Sequence, residues 1–553
     1  MCLFFWMSSS AQIQFHYEEG YSFNHEECIA AYQELESVYG NCRLKEAGTS
    51  DSGRPIHLFT LGDMSKDKPT ILINNAIHPG ESCGVEASLM LMEEILRSDS
   101  PILDQINIAV VPMYNVGGAL NRGCCTRANQ AGPTEQGFRG NARHLDLNRD
   151  FVKTDSRNAL TFQSLFHALD PAILVDTHTS NGADYPYTMT LIHSQLDMID
   201  RHLSNAYQSS LIPHLFKAME EHYPMSPYMD MIGDTPDDGI RDFPDWPRYS
   251  TGYAALWNCF GFTTEAHMLK PFSERVKGTY HFLDELIAYC ADNAAEIQRN
   301  KMKADHHTLA LDKMYLDFEL DTLKVDSFYF KGFKAVYETS AVTGLDRLKY
   351  DRSERWEKYI PHLKHYKGID EVVIPSYYYV PQAWAEVIER LDQNGVEMER
   401  LTSDTSIVVD SYYIESYETV DQPYEGHYVH SELETRSERQ SVDFFAGDYR
   451  INTQQKSKRY LVNVLEPRAK DSFFAWGFFD AVLQQKEWFS PYVFEDMAED
   501  ILANDAALKQ SFEEQRKNEA FANSMWAQLI YIYRNSDYYE VEHMRYPVFR
   551  SMD

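Results

Sequence analysis

No run of apolar residues in the 553-residue chain approaches the ~18 that a membrane-crossing helix needs, so no membrane span is expected. Nor is there a Cys-x-x-Cys pair. The eight cysteines (Cys2, Cys28, Cys42, Cys83, Cys124, Cys125, Cys259 and Cys290) are scattered and suggest neither a thiolate metal site nor a redox pair. Their low density is compatible with free thiols and leaves the redox compartment open. Basic residues are scarce: 51 Lys plus Arg stand against 84 Asp plus Glu, a formal net charge of −33. Such a surface repels phosphate backbones and anionic bilayers, which argues against nucleic acid as a partner, but it forbids neither peptides nor cations. In the C-terminal part, internal repeats and low-complexity tracts are also missing.

What remains is a globular composition, 44% hydrophobic and 13% aromatic, long enough for two or three compact units. The opening Met1 to Gln12 is similar to a clipped secretory signal without a basic n-region, so residues 1–24 are set apart as an N-terminal segment. Secreted or periplasmic and cytoplasmic locations stay equally open.

Four apolar runs, Thr70 to Ala76, Asn107 to Met113, Pro171 to Thr177 and Phe260 to Ala266, read as interior strands. Between them, Val85, Leu89, Met92 and Leu96 share one helix face, and Phe162, Leu165, Phe166 and Leu169 another. This alternation predicts an α/β domain, a mixed and mostly parallel central sheet flanked by helices, closed by a helix from Thr279 to about Lys303. Beyond it the texture predicts a C-terminal α+β accessory region: strands such as Tyr315 to Leu320 between 308 and 380, a short helix from Ala383 to Leu391, and a mostly helical last ~90 residues including Trp476 to Leu483 and Phe512 to Phe521. The boundaries drawn are 25–305 for the first region and 306–553 for the second.

His78 falls just past the first strand, His178 at the end of the third and Glu265 near the end of the fourth, where open α/β sheets hold their ligands. In His78-Pro79-Gly80-Glu81 an imidazole and a carboxylate lie three residues apart, with Pro and Gly bending the chain so that both reach one cation. A catalytic zinc takes three such N or O ligands and leaves a position for water. The loop from Gly137 to Asp150 gathers Arg139, Arg143 and Arg149 with Asn141 and Asn148, a set suited to carboxylates or an oxyanion.

Taken in order, His78-Pro79-Gly80-Glu81, Asp146-Leu147-Asn148-Arg149, Asp176-Thr177-His178 and Thr263-Thr264-Glu265 resemble the zinc carboxypeptidase family, the carboxypeptidase A/B-like metallopeptidases, over roughly residues 25 to 305. The resemblance implies one Zn²⁺ per chain on His78, Glu81 and His178, with Glu265 as general base. It further implies that Arg139 stabilises the oxyanion, that Asn148 and Arg149 grip a substrate's terminal carboxylate, and that Asp146 orients the first zinc histidine. The tyrosine that closes over substrate is Tyr249 or Tyr253. The substrate expected is a peptide or small amide with a free carboxylate, hydrolysed at the C-terminal amide. The rival readings are a related zinc amidohydrolase acting on acylated amino acids or cell-wall peptides, and a binding module that keeps the fold without the chemistry.

Other residues read more blandly. Arg248 is expected as a surface arginine, with selection of acidic side chains the sharper alternative. His267 is expected as a satisfied structural histidine, and His193, His306 and His307 as surface or packing residues without a carboxylate partner at useful spacing. Tyr377, Tyr378 and Tyr379 read as strand filling. The stretch from Leu465 to Ser472 leading to Trp476 looks like an extension of large family members, with a packing or substrate-access role. The C-terminal part shows no ligand constellation.

Overall fold

A computed structural model describes residues 13–553; the signal-like opening lies outside them. Eight strands form the central sheet: β1 (Cys42–Thr49), β2 (Pro55–Leu61), β3 (Thr70–Asn74), β4 (Asn107–Val111), β5 (Ile173–Ser180), β6 (Met189–His193), β7 (Met225–Pro227) and β8 (Phe260–His267). Their order across the sheet is β1-β2-β4-β3-β5-β8-β6-β7. The inner four, β4, β3, β5 and β8, run parallel, and antiparallel pairings flank them, so the sheet is mixed and parallel at its centre. Every residue of β3, β4 and β5 is buried, which is why these strands read as unbroken apolar runs rather than alternating ones.

Helices cover both faces: α1 (His25–Val38), α2 (Cys83–Arg97), α3 (Arg157–Leu169), α4 (Ser250–Leu256), α5 (Phe272–Asp292) and α6 (Ala294–Ala310). Asn24 and Glu27 start α1 reciprocally, each side chain accepting the other's backbone N–H, at 3.0 and 2.9 Å. The stripe Val85, Leu89, Met92 and Leu96 on α2 is buried against the sheet. Gly84 is required there, because a Cβ would meet Thr177 Oγ1 at 2.0 Å, beside His178. The closing helix expected from Thr279 to Lys303 is two helices broken at Asn293, and the second runs to Ala310, past the boundary drawn at 305. No helix among the described residues is long and apolar enough to cross a membrane. The seven cysteines among them are all free thiols.

The C-terminal region is richer in strand than its sequence suggests. Asp326–Thr339 pairs with Asp346–Leu363, and Thr405–Thr419 with His430–Phe444, as two long hairpins. Helices Pro491–Asn504, Ala506–Gln515 and Met525–Arg534 follow, whereas the stretch from Trp476 to Leu483 is turn and a short 3-10 helix. This region is not a separate body. Leu72, Phe162 and Tyr253 of the sheet half share one apolar cluster with Tyr378, Leu461 and Tyr546 of the other.

Candidate metal centre

Strand β3 ends at Asn74, and the chain turns through Ala76 in the left-handed region (φ 56°) before reaching His78. That backbone costs of order 1 kcal/mol for a residue with a Cβ and is held here by a fully packed corner. The Glu81 N–H then donates to the His78 carbonyl at 2.8 Å, a tight turn that brings both side chains to one side. His178 arrives from β5, and β8 sets Glu265 in register beside it.

His78, Glu81 and His178 are buried, and their ligand atoms all lie within 4.8 Å of one another. Glu81 sits between the two imidazoles: Oε1 is 3.3 Å from His78 Nδ1, and Oε2 is 3.1 Å from His178 Nδ1. The Thr179 N–H donates to the same Oε2 at 2.9 Å and fixes the carboxylate. Each ring turns its other nitrogen to a carboxylate. His78 Nε2 is 2.9 Å from Asp146 Oδ1, and His178 Nε2 is 3.0 Å from Asp176 Oδ2, the latter a charge contact without hydrogen-bond alignment. Asp176 is held by Asn74 Nδ2 at 3.2 Å. Such partners fix tautomer and ring orientation in a metal site. Two imidazole nitrogens and a carboxylate around one point, with His178 Nε2, Asp176 Oδ2 and Glu265 Oε2 all buried and without hydrogen bonds, fit a zinc ion.

Electrostatics follow from this crowding. Burial opposes charge on His178, but Asp176 and Glu81 raise its pKa well above the imidazole range. Burial likewise opposes ionisation of Asp146, yet His78 and Arg139 hold its carboxyl far below the usual value. Glu265 behaves in the opposite way. Burial, with the Glu81 carboxylate adding to it, pushes its carboxyl up to about 8, against the pull of His178, Arg139 and Arg127. The residue is partly buried, and its Oε2 is shut from solvent.

The arginine loop lies beside the triad. Arg139 grips Asp146 Oδ2 through Nε at 3.0 Å and Nη2 at 2.8 Å, and its Nη1 is 3.6 Å from Glu81. Asn148 Oδ1 accepts the Ser250 N–H at 3.2 Å. Arg149 donates from Nη1 to the Asn148 carbonyl and from Nε to the Tyr424 hydroxyl, and it stacks 4.4 Å over Tyr249. Among the described residues, Asn148 Nδ2 and Arg149 Nη2 make no protein hydrogen bond.

Tyr253 is not near the centre. It is fully buried, with its hydroxyl 2.6 Å from Asn394 Oδ1 among Phe151, Phe166 and Trp257, because α4 turns that face into the core. Tyr249 stays at the loop. Arg248 is neither a free surface arginine nor aimed at a substrate: it pairs with Asp471 at 2.7 Å and stacks on Trp476. His267 is buried and stacked on Tyr185 at 4.1 Å, with neither nitrogen hydrogen-bonded. Tyr378 fills its strand and donates to Glu466 at 2.6 Å. His307 does have a carboxylate partner, Asp200.

Several residues at the centre escaped the sequence reading. Arg127 Nη2 pairs with Glu81 Oε1 at 2.6 Å. The phenol of Tyr228 is raised by burial and by the Glu265 and Glu81 carboxylates. Tyr424 and Glu425 come from the tip of the second long hairpin, where Glu425 Oε2 accepts the Asp146 N–H at 2.7 Å. Asp176 was visible as part of a motif but was given no role.

His78, Glu81 and His178 thus form a buried two-imidazole, one-carboxylate group that could hold a metal ion, at the strand ends of a mixed α/β sheet. Residues 28–172 match the sequence model of the zinc carboxypeptidase family. His178 and Glu265 lie beyond the matched stretch. Carboxypeptidase 2 of Trichophyton rubrum is 29% identical over 461 residues, covering 78% of this chain and 79% of its own length. Carboxypeptidase 2 of Trichophyton tonsurans is 29% identical over 103 residues, 19% of either protein. Among solved structures, a metallo-carboxypeptidase from Burkholderia cenocepacia is similar at 19% identity and a TM-score of 0.39, over 50% of this chain and 71% of that one.

Proposed function

We propose that the protein is a zinc-dependent metallocarboxypeptidase that releases the C-terminal residue of peptides. The observation that carries this reading is the buried cluster of His78, Glu81 and His178, with Asp146 and Asp176 behind its rings and Glu265 registered beside it. His78, Glu81 and His178 would hold one Zn²⁺, which supplies Lewis acidity at the scissile carbonyl. Glu265, desolvated and without a fixed partner, takes a proton from the attacking water and passes it to the leaving amine. Arg139 and Arg127, both within reach of Glu81, are placed to balance charge developing on the carbonyl oxygen. The unpaired Asn148 Nδ2 and Arg149 Nη2 donate to the terminal carboxylate and fix which amide is cut.

A second reading, hydrolysis of a small acylated amino acid, draws on the loop at Tyr424 and Glu425, which lies directly on the carboxylate-binding residues and narrows the approach. One experiment addresses both: the zinc-loaded protein is given peptides with free and amidated C-termini, and N-acyl amino acids, with products read by mass spectrometry. Stepwise loss of C-terminal residues from free peptides alone is the expected result. Equal cleavage of amidated peptides overturns the carboxylate assignment, and turnover confined to N-acyl amino acids selects the second reading.

A further inference from the structure

Outside the centre, one other group of side chains has the same donor chemistry. Asp200 lies between His202 and His307 much as Glu81 lies between His78 and His178: Oδ1 is 2.9 Å from His202 Nδ1, and Oδ2 is 2.6 Å from His307 Nδ1. The ligand atoms of the three residues lie within 4.8 Å of one another, and the two rings meet edge to face at 5.6 Å. The parts come from different elements. Asp200 caps a short helix, Arg201–Ala206, accepting the His202 N–H at 2.8 Å, while His307 sits in the last turn of α6. The Asp200 side chain has no exposure, whereas His202 and His307 keep 31% and 29%, so the carboxylate is anchored and the imidazole side is open to solvent.

We infer that Asp200, His202 and His307 form a second binding site for a divalent first-row metal, Zn²⁺ in the first place, that clips the 201–206 helix to α6. Two imidazoles and one carboxylate are a donor set that zinc accepts, with water completing the tetrahedron. An ion there replaces the two shared hydrogens and holds both elements to one point. Partly buried Arg459 acts on Asp200 by charge and donates to the Met198 carbonyl at 2.7 Å. That neighbouring cation and the solvent-facing rings make this site weaker than the deep one, so a chelator empties it first.

The test is zinc stoichiometry by mass spectrometry of the metal after equilibrium dialysis of the full chain. Two ions per chain are expected in the wild type and one in His202→Ala/His307→Ala. In Glu81→Gln/His178→Ala, which removes the deep ligands, one ion remains and added zinc raises the melting temperature. The rise vanishes when all four changes are combined. The same zinc content in wild type and His202→Ala/His307→Ala overturns the inference, as does a Glu81→Gln/His178→Ala protein that binds no zinc. Because that background reads only the second site, failure there leaves the peptidase reading untouched. Circular dichroism checks folding, and His307→Gln, which keeps the ring's volume more closely, replaces the double variant should it misfold.

Discussion

The two clusters of paired imidazoles and a carboxylate differ in what stands behind them. At the deep one, His78 and His178 each turn a second nitrogen to an aspartate, and Glu265 stands alongside with an unpaired oxygen. At the outer one the rings are partly open to solvent, and among the described residues neither histidine pairs with a second carboxylate. On the readings proposed above, the same pair of imidazoles with one carboxylate serves a reaction in one place and a fastening in the other. What separates them is the surroundings: a base, a dry wall and an anion grip.

The comparison breaks most visibly at Glu265. Glu265→Gln should retain bound zinc yet lower kcat by about 10³-fold, within the range for removal of a general base, whereas His307→Ala should leave kcat unchanged; steady-state kinetics with metal analysis reads both. Asp146→Asn tests the backing of the deep rings. It should weaken zinc affinity roughly 10- to 100-fold, measured by competition with a chelator of known affinity.

Glu86, five residues beyond Glu81 on α2, is a carboxyl that burial pushes up to about 8, and it accepts the Phe23 N–H at 2.8 Å while its other oxygen is unpaired. The folded chain keeps a proton that the unfolded chain releases above the usual carboxyl value. Its contribution therefore favours the fold at low pH and declines as pH rises from about 4.5 to 8, by up to about 1.4 kcal/mol per pH unit. Glu86→Gln should flatten that slope in urea unfolding of metal-free protein followed across the window. The smallest effect is expected at Tyr424→Phe, which loses one hydrogen bond to Arg149: about 1 kcal/mol, or roughly five-fold in KM at constant kcat.

Much of the deep site was legible because its parts sit on features that leave local traces. His178 and Glu265 end apolar runs whose burial on both faces makes them continuous in sequence, and His78 and Glu81 lie three residues apart. Tyr424 and Glu425 left no such trace. They meet Arg149 and Asp146 across 275 and 279 residues, and their hairpin carries Ser437-Glu438-Arg439-Gln440, wetted on both faces and without alternation. The outer cluster was missed for a like reason: Asp200 and His307 lie 107 residues apart and meet only after α6 folds back. Tyr253 failed differently, since a seven-residue helix has no pattern strong enough to say which face looks inward.

The cluster that joins Leu72 and Phe162 to Leu461 and Tyr546 also bears on how the chain comes to be made. A strand laid down early in synthesis packs first on its neighbours in the sheet half and gains the last of its partners only when nearly the whole polypeptide has been translated. Until then the nascent sheet half carries an uncovered oily face. Its nascent life is therefore one of prolonged exposure, in which shielding of that face bears on how much of the chain reaches the folded state.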